Sequence, residues 1–332
     1  MPGLGDMRTR TFPGNQNEFG IEKESPPGGG MKSHGQQRTA AEQECQVHAN
    51  TLYLCDNLDL MKRLPGSIID LIYVDPPFFT GKERKANSRI QGAEYRFQDA
   101  WAGGIDGYVS WLKPRLTQMR RLLKPNGLIY LHLDWHAVHY AKVEMDTIFG
   151  YDRFVNEIIW RYRTGGVSRN RFSRKHDTIL VYSKSAKYRI DPWKEKAYTK
   201  SRYRKAGPVN YGAGNAEFFD DGNGVYNLVN ATDVWEIPYI NSQAKERVGY
   251  PSQKPQKLIE KIISTSTRKG DLVADFFCGS GTTGVVAQAL GRKWILSDQS
   301  VEALKISKAR IENVILIPEP GEKTLRIPIL KC

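Results

Sequence analysis

The stretch DLVADFFCGSGTTGVVAQALGRKWILSD, at residues 271–298, decides the fold of this chain. An apolar run at residues 271–276 predicts a buried strand, and a loop that holds two glycines, Gly279 and Gly281, follows it. Residues 282–290 predict a helix, and residues 293–297 predict a second strand. Strand, loop, helix and strand in so short a stretch indicate a βαβ unit, which requires a parallel sheet.

The glycine loop and the acid after the second strand favour a nucleoside cofactor. Glycines let the backbone turn tightly between strand and helix, and a ligand can approach the bare backbone there. Asp298 ends the second strand, where a carboxylate can accept both hydroxyl hydrogens of a ribose. No lysine follows Gly281, so the loop is not a P-loop. The alternative is an ordinary tight turn, which would give Asp298 no role.

A second motif, Asp75-Pro76-Pro77-Phe78, ends the strand predicted at residues 68–74. Two prolines remove two backbone donors, so acceptors remain around the Asp75 carboxylate. An acceptor-only pocket beside an aromatic ring suits the exocyclic amine of a planar base. The carboxylate would take the amine hydrogens and make the nitrogen nucleophilic, and the Phe78 ring would stack on the base. The alternative is a turn that merely ends a strand.

Other segments predict an α/β domain. Further strands are predicted at residues 128–133, 155–160 and 178–182, and helices at residues 107–123, 136–149, 254–266 and 301–314. Pro114 is expected to break or restart the first of these helices. Residues 184–235 are polar, basic and poorly periodic, and they predict a loop-rich insert with some short strands.

Composition excludes several classes of protein. The chain has 332 residues, of which 40% are hydrophobic, so a general lack of folded structure is excluded. No run approaches ~18 consecutive apolar residues, and no membrane span is predicted. The N-terminal region lacks the apolar run of a secretory signal. The four cysteines form no CxxC pair, which argues against a cysteine zinc site and favours a reducing cytoplasm.

The distribution of charge points to a polyanionic partner. The formal net charge is +13, and residues 161–205 carry 15 basic side chains against three acidic ones. Tyrosines and Trp193 lie among them. A solvated basic surface is the alternative, but a cluster of this density favours nucleic acid. Side chains expected to contact the phosphates of a nucleic acid are Lys82, Arg161, Arg163, Arg169, Arg171, Arg174 and Lys175.

Together the two motifs resemble those of the amino-group DNA methyltransferases, which use S-adenosylmethionine to make N6-methyladenine or N4-methylcytosine. Residues 75–78 resemble the catalytic Asp-Pro-Pro-aromatic motif of that family, and residues 275–283 resemble its cofactor motif. Phe276 stands where proline is usual, and Phe79 stands where asparagine is usual. The catalytic motif precedes the cofactor motif, which is the circularly permuted order of the β-class.

The resemblance implies a Rossmann-like α/β methyltransferase fold with a mixed seven-stranded sheet and S-adenosylmethionine as cofactor. It implies catalytic roles for Asp75, Pro76, Pro77 and Phe78. The residues implied to bind the cofactor are Asp56, Lys254, Pro255, Asp275, Phe276, Phe277, Gly279, Ser280, Gly281, Thr282 and Asp298.

The predicted organisation has five parts. Residues 1–49 are a disordered tail, because they are rich in Gly, Pro, Gln and Glu. Residues 50–184 are the catalytic half of the domain, with a basic loop at 161–175, and residues 236–318 are the cofactor-binding half. Residues 185–235, between them, are the target-recognition insert, and residues 319–332 are a C-terminal tail.

The sequence therefore predicts methyl transfer from S-adenosylmethionine to the N6 amine of a flipped-out adenine in double-stranded DNA. The alternatives are an N4-cytosine DNA methyltransferase, an RNA adenine methyltransferase and a non-catalytic DNA-binding subunit with a methylase fold. A homodimer and a cognate restriction endonuclease are left open as partners. The expected location is the cytoplasm, in association with the nucleoid.

Two features resemble sites of other kinds. His132, His136 and His139 could suggest a metal site, but the chemistry needs no metal, so helix-surface and capping roles are expected. Cys278 lies in the cofactor loop, but amino methylation needs no covalent nucleophile, so a small packing residue is expected.

Overall fold

The structure, a computed structural model, describes residues 48–81, 84–87, 94–97, 99–163, 168–201, 205–211, 214–314 and 327–331. All of them lie in one unit, Gln43–Cys332. Most of the predicted N-terminal tail, Lys82 and much of the predicted C-terminal tail lie outside the described residues. Among the helices that the structure describes, none is long and apolar enough to cross a membrane.

The elements alternate along much of the chain. The described helices are α1 Asn57–Arg63, α2 Gly104–Leu122, α3 Val138–Phe149, α4 Gln256–Ser266, α5 Thr282–Ala289 and α6 Val301–Glu312, with a 3-10 turn at Tyr151–Arg153. The described strands are β1 Thr51–Leu54, β2 Ile69–Val74, β3 Arg84–Asn87, β4 Glu94–Phe97, β5 Leu123–Leu133, β6 Phe154–Arg161, β7 His176–Ser183, β8 Lys194–Tyr198, β9 Gly207–Asn210, β10 Asn215–Asp220, β11 Val225–Asn230, β12 Val234–Glu236, β13 Leu272–Asp275, β14 Lys293–Asp298 and β15 Ile329–Lys331.

The main sheet has the order β12-β6-β7-β5-β2-β13-β14-β1-β15. Strand β7 runs antiparallel to β5 and β6, and the other pairs in this sheet are parallel. The mixed α/β fold predicted from the sequence is confirmed. Seven longer strands form its centre, and the three-residue strands β12 and β15 extend it at either side.

The βαβ unit at residues 271–298 is formed by β13, α5 and β14, with Val273 opposite Trp294. Strand β2 lies on the other side of β13, where Leu71 is paired with Val273. Strands β1, β2, β5, β6, β13 and β14 therefore end at one edge of the sheet, which we name the carboxyl edge. In open α/β sheets, ligands bind outside this edge.

Helices cover both faces of the sheet. One core contains Leu60 of α1, Leu116 of α2 and Met145 of α3, and the other contains Ile262 of α4 and Leu304 of α6. Alternate residues of β2 enter the two cores, as expected for a strand buried on both faces.

The prediction that Pro114 breaks a helix is wrong. Helix α2 continues through it from Gly104 to Leu122. Proline leaves the carbonyl of Ser110 without its helical donor, but Ser110 and Pro114 are both exposed, so water can reach that carbonyl. Buried side chains on the opposite face, including Leu112 and Leu116, hold the helix against the core.

The insert is more regular than the sequence predicts. Strands β8, β11, β10 and β9 form a four-stranded antiparallel sheet in that order. Trp193, just before β8, contacts Trp235 with a 5.1 Å separation of ring centroids. The Lys261 ammonium of α4 lies 3.2 Å from the centroid of the Trp193 ring. These contacts fasten the insert to the main sheet and α4. Its role in target recognition stays a prediction.

Candidate active site

Four aspartates follow neighbouring strands at the carboxyl edge. Asp75 follows β2, Asp275 ends β13, Asp298 ends β14 and Asp56 follows β1. Because β2, β13, β14 and β1 are adjacent in the sheet, residues far apart in sequence meet there.

A cavity of about 880 Å³ opens at this edge. Most of the predicted catalytic and cofactor-binding residues line it: Asp75, Pro76, Pro77, Phe78, Lys254, Asp275, Phe276, Phe277, Gly279, Ser280, Thr282 and Asp298. The predicted residues Asp56, Pro255 and Gly281 are not among the lining residues. Lining residues that the sequence analysis missed include Asn57, Trp111, Arg115, Tyr250 and Ser300.

Asp56 is engaged in holding the wall of the cavity. Its carboxylate caps α1 by accepting from the Leu58 N–H at 2.8 Å. The Arg115 guanidinium and the Gln299 amide donate to its other oxygen at 2.9 and 2.7 Å. These partners give Asp56 a structural role in this arrangement, beside the cavity residue Asn57.

The glycine loop brings bare backbone close to its neighbours. Gly279 and Gly281 have φ values of +47° and +73°, which favour glycine. A Cβ on Gly279 would lie 2.9 Å from the Tyr250 ring, and one on Gly281 would lie 2.6 Å from the Cβ of Ser307. Gly281 and Pro255 are the N-caps of α5 and α4.

Asp298 presents an oriented carboxylate to the cavity. Its two oxygens accept from the Gly279 N–H and the Ser300 N–H, both at 2.9 Å. Burial raises the pKa of Asp298, and these N–H donors oppose that rise. The Gln299 N–H also interacts with this carboxylate, and its remaining acceptor capacity suits a ligand hydroxyl.

Asp275 is a deeply buried acid of the cavity wall. It accepts from the Thr283 hydroxyl at 2.6 Å and from the Phe277 N–H at 3.0 Å. Burial, followed by the negative charge of Asp75, raises the pKa of Asp275 to about 8. Burial and the neighbouring carboxylate thus keep this group largely protonated at neutral pH.

Asp75 forms an ion pair with Lys254, a residue that the sequence analysis assigned only to cofactor binding. The Lys254 ammonium donates to the Asp75 carboxylate, and its nitrogen lies 4.9 Å from the centroid of the Phe78 ring. Both side chains of the pair are largely buried. Lys254 therefore contacts the catalytic motif as well as lining the cavity.

A buried polar network lies behind the catalytic motif. The Tyr73 hydroxyl is 2.8 Å from His132 Nδ1, and His132 Nε2 is 3.2 Å from a carboxylate oxygen of Asp177. The Tyr162 hydroxyl donates to the other Asp177 oxygen at 2.9 Å. Burial lowers the pKa of His132, and its ring centroid lies 5.7 Å from that of Phe78.

His132 lies in strand β5, before helix α3, and it is fully buried. His136 does bond to Asp134 at the start of α3, as expected. Among the residues that the structure describes, no three His, Cys, Asp or Glu residues are grouped to hold a metal ion. Cys278 is buried in the core beside Ser307, which confirms its packing role.

Asp99 holds the chain just after the catalytic motif. Its oxygens accept from the Phe79 N–H at 2.7 Å and the Thr80 N–H at 3.0 Å, and its carbonyl accepts from the Gly81 N–H. Phe79 has a φ of +61°, a strained value for this residue type. Rings of Trp101 and Tyr108 pack on it and help to hold that conformation.

The predicted phosphate-contacting residues flank the carboxyl edge. Arg161 ends β6 and forms an ion pair with Glu236. Arg163, Arg169, Arg171 and Arg174 are exposed, and Lys175 is half-buried. Their contact with DNA stays a prediction.

Comparison with known proteins identifies the family. A family model described as DNA methylase (N6_N4_Mtase) matches residues 69–309, more than half of the chain. The chain is 28% identical to the type II methyltransferase M.EcaI of Enterobacter cloacae, over 92% of this chain and 78% of that protein. It is 29% identical to the DNA adenine methyltransferase YhdJ of Escherichia coli K12, over 80% of this chain and 83% of that protein.

Solved structures share the fold. The cytosine-N4-specific PvuII DNA methyltransferase superposes with a TM-score of 0.53 at 20% identity, covering 82% of this chain and 88% of that one. TTHA0409 of Thermus thermophilus, complexed with S-adenosyl-L-methionine, superposes with a TM-score of 0.53 at 18% identity. The match covers 86% of this chain and 98% of that one.

S-adenosylmethionine is the cofactor that this family implies, and the residues of the site fit it. Asp298 offers lone pairs to a ribose, Gly279 leaves room for close approach, and the cavity is near the upper end of the roughly 300–1,000 Å³ typical of ligand pockets. The predicted catalytic motif and the predicted cofactor loop line one cavity, and the family model spans both, so the chain belongs to the DNA methylase family of amino-methyltransferases.

Proposed function

We propose that this chain transfers a methyl group from S-adenosylmethionine to the N6 amine of an adenine in double-stranded DNA. The observation that carries the proposal is that Asp75 and Phe78 line the same cavity as Gly279 and Asp298. A base held at the first pair of residues would face a cofactor held at the second pair.

The residues around Asp75 suit an incoming amine. When bound, the cofactor supplies an electrophilic methyl group on a sulfonium sulfur. The Asp75 carboxylate accepts an amine hydrogen, Pro76 and Pro77 offer no competing N–H, and the Phe78 ring stacks on the base. The amine nitrogen would form the new bond to the methyl carbon as the carbon–sulfur bond breaks and the thioether leaves, and the resulting ammonium would then release its proton to water. Positioning and hydrogen bonding supply most of the rate enhancement.

Lys254 occupies the place that the target amine needs. Its ammonium donates to Asp75 and lies over the Phe78 ring, as the amine of a stacked base would. In this proposal the base replaces the ammonium at Asp75, and Lys254 turns toward another acceptor in the cavity.

Two observations favour adenine over cytosine. The catalytic motif opens with Asp75 rather than serine, and in the family that it resembles an opening aspartate goes mostly with adenine. The relative YhdJ is named a DNA adenine methyltransferase.

The names of M.EcaI, M.HpaI and M.ScaI also suggest a restriction–modification setting. A cognate endonuclease and a homodimer both stay predictions.

Nucleoside analysis tests the proposal. The purified chain is incubated with S-adenosylmethionine and duplex DNA, the DNA is digested, and the nucleosides are separated by mass spectrometry. We expect N6-methyladenine, and none from an Asp75→Ala variant that folds and binds S-adenosylhomocysteine. A product containing only N4-methylcytosine would contradict the base assignment, whereas methylation of RNA alone would contradict the substrate.

A further inference from the structure

An exposed aromatic side chain lies in the basic loop beside the active site. Phe172 is 98% exposed, the most exposed of the large apolar side chains in the described part of the chain. Burying a phenylalanine stabilises a protein by about 1.5–3 kcal/mol, so this ring contributes little to the fold in its present position. Its neighbours Arg171 and Arg174 are exposed cations.

The topology places this ring at the carboxyl edge. Strands β6 and β7 are paired as far as Arg161 and His176, and Tyr162 N–H donates to the Lys175 carbonyl at 2.9 Å. The connection between these strands therefore leaves the sheet at the edge where β6 ends. Asp75 and its cavity lie at the same edge, because β2 also ends there.

A cation–π contact fastens the loop near the catalytic motif. The Arg174 guanidinium lies 3.5 Å from the centroid of the Trp135 ring, and that centroid is 3.7 Å from the centroid of His136. Trp135 follows the end of β5, the strand paired with β2. Phe172 therefore lies two residues before Arg174, the residue that contacts Trp135.

We propose that Phe172 is a wedge that enters the DNA base stack and holds the target base out of the duplex. The proposal rests on the proposed function, because only a base taken out of the duplex can reach the cavity. Apolar wedges flanked by basic residues insert between base steps in this way, and the cations neutralise the flanking phosphates. Phe172 is then a positioning residue rather than a catalytic one, since it touches the base left behind and not the reacting amine.

The test compares two short duplexes that carry the methylation site mapped for this chain. In one, the target base is fully paired; in the other, it faces an abasic site, so no base pair opposes its exit. Single-turnover methyl transfer at saturating S-adenosylmethionine is measured for the unaltered chain, Phe172→Ala and Phe172→Trp. Tyr151→Ala is the matched control, because Tyr151 is 76% exposed but precedes β6 at the opposite edge.

We expect Phe172→Ala to slow transfer about 10-fold or more on the paired duplex and less than about twofold on the abasic duplex, since one aromatic–base stack is at stake. Phe172→Trp and Tyr151→Ala should keep the normal rates on both. Equal slowing of Phe172→Ala on both duplexes, or no slowing on the paired duplex, would overturn the wedge. If the unaltered chain methylates no DNA, the proposed function is refuted first, and the wedge with it.

Discussion

At the scale of single residues, we expect Asp75 and Asp298 to have different roles in the cavity. Asp298 is oriented by two backbone N–H groups, whereas Asp75 faces Phe78 and Lys254. We expect Asp298→Ala to weaken binding of S-adenosylhomocysteine by ~1.5–3 kcal/mol, the scale of charged hydrogen bonds at a buried site. Asp75→Ala should leave that affinity nearly unchanged and abolish methyl transfer.

Isothermal titration calorimetry measures both affinities, and a methylation assay completes the comparison. Asp75→Asn is the conservative control, because it keeps the shape of the side chain while removing the charge that pairs with Lys254. If Asp75→Ala loses the cofactor analogue as badly as Asp298→Ala does, the division of roles is wrong.

Asp275 makes a pH-dependent contribution to stability. Burial, together with the charge of Asp75, raises the pKa of Asp275 to about 8, whereas an unfolded aspartate titrates near ~3.9. Between these values the unfolded chain releases the proton and the folded chain keeps it. Asp275 therefore stabilises the folded protein in full below the unfolded pKa of ~3.9. This stabilisation is lost as the pH rises through the folded pKa of about 8.

The Asp275→Asn variant removes this titration while keeping an acceptor for the Phe277 N–H. From pH 5 to 8 we expect the free energy of unfolding to fall less steeply in the variant, by up to about 1.4 kcal/mol per pH unit for one proton. Denaturant unfolding of both proteins at several pH values measures the difference. Parallel pH profiles would show that Asp275 ionises normally in the folded protein.

At the scale of elements, the start of α5 depends on a close approach to α6. Gly281 has a φ of +73°, and an added Cβ would lie 2.9 Å from the Cα of Ser307 in α6. We expect Gly281→Ala to destabilise the protein by about 3 kcal/mol or more, because backbone strain and overpacking add together. It should also displace Gly279 and lower cofactor affinity.

Gly270 is the matched control for this change. Its φ is +88°, but an added Cβ would meet nothing within 4 Å. Gly270→Ala should therefore cost only the backbone strain, and it should leave cofactor affinity unchanged. Thermal melting with and without S-adenosylhomocysteine separates the two variants, and equal losses in both would contradict the role of the α5–α6 contact.

At the scale of the whole molecule, the basic loop at 161–175 lies at the carboxyl edge, where β6 ends and β7 begins. Neutralising Arg169, Arg171, Arg174 and Lys175 together should weaken DNA binding and flatten its dependence on salt by up to about four units of log–log slope. Fluorescence anisotropy with labelled duplex DNA at several salt concentrations measures the slope.

A control set of four exposed basic residues lies at the opposite edge of the main sheet: Lys62, Arg63, Arg120 and Lys269. Neutralising these removes the same formal charge, so a general effect of net charge would appear in both sets. We expect the slope to change little with the control set. A slope unchanged by the first set and lowered by the control set would place the DNA on the other edge.

Local patterns are sufficient for much of the architecture. The apolar run at residues 271–276, its two glycines and Asp298 predict the βαβ unit, because strand burial, tight turning and the end of a strand each depend on consecutive residues. The motif at Asp75 predicts the second half of the cavity for the same reason. The insert is predicted only as loops with some short strands, and its four-stranded sheet escapes prediction because these strands bury few apolar side chains and give a weak pattern.

Contacts between distant residues were decided only by the tertiary structure. Lys254 meets Asp75 across 179 positions, and His132 joins Tyr73 to Asp177, because neighbouring strands in the sheet bring their ends and faces together. No local pattern carries such a pairing: a buried histidine and a surface histidine look alike in sequence. Burial at the carboxyl edge raises the pKa of Asp275, and the same packing brings Lys254 to Asp75. Both properties depend on residues from several segments of the chain, so only the tertiary structure determines them.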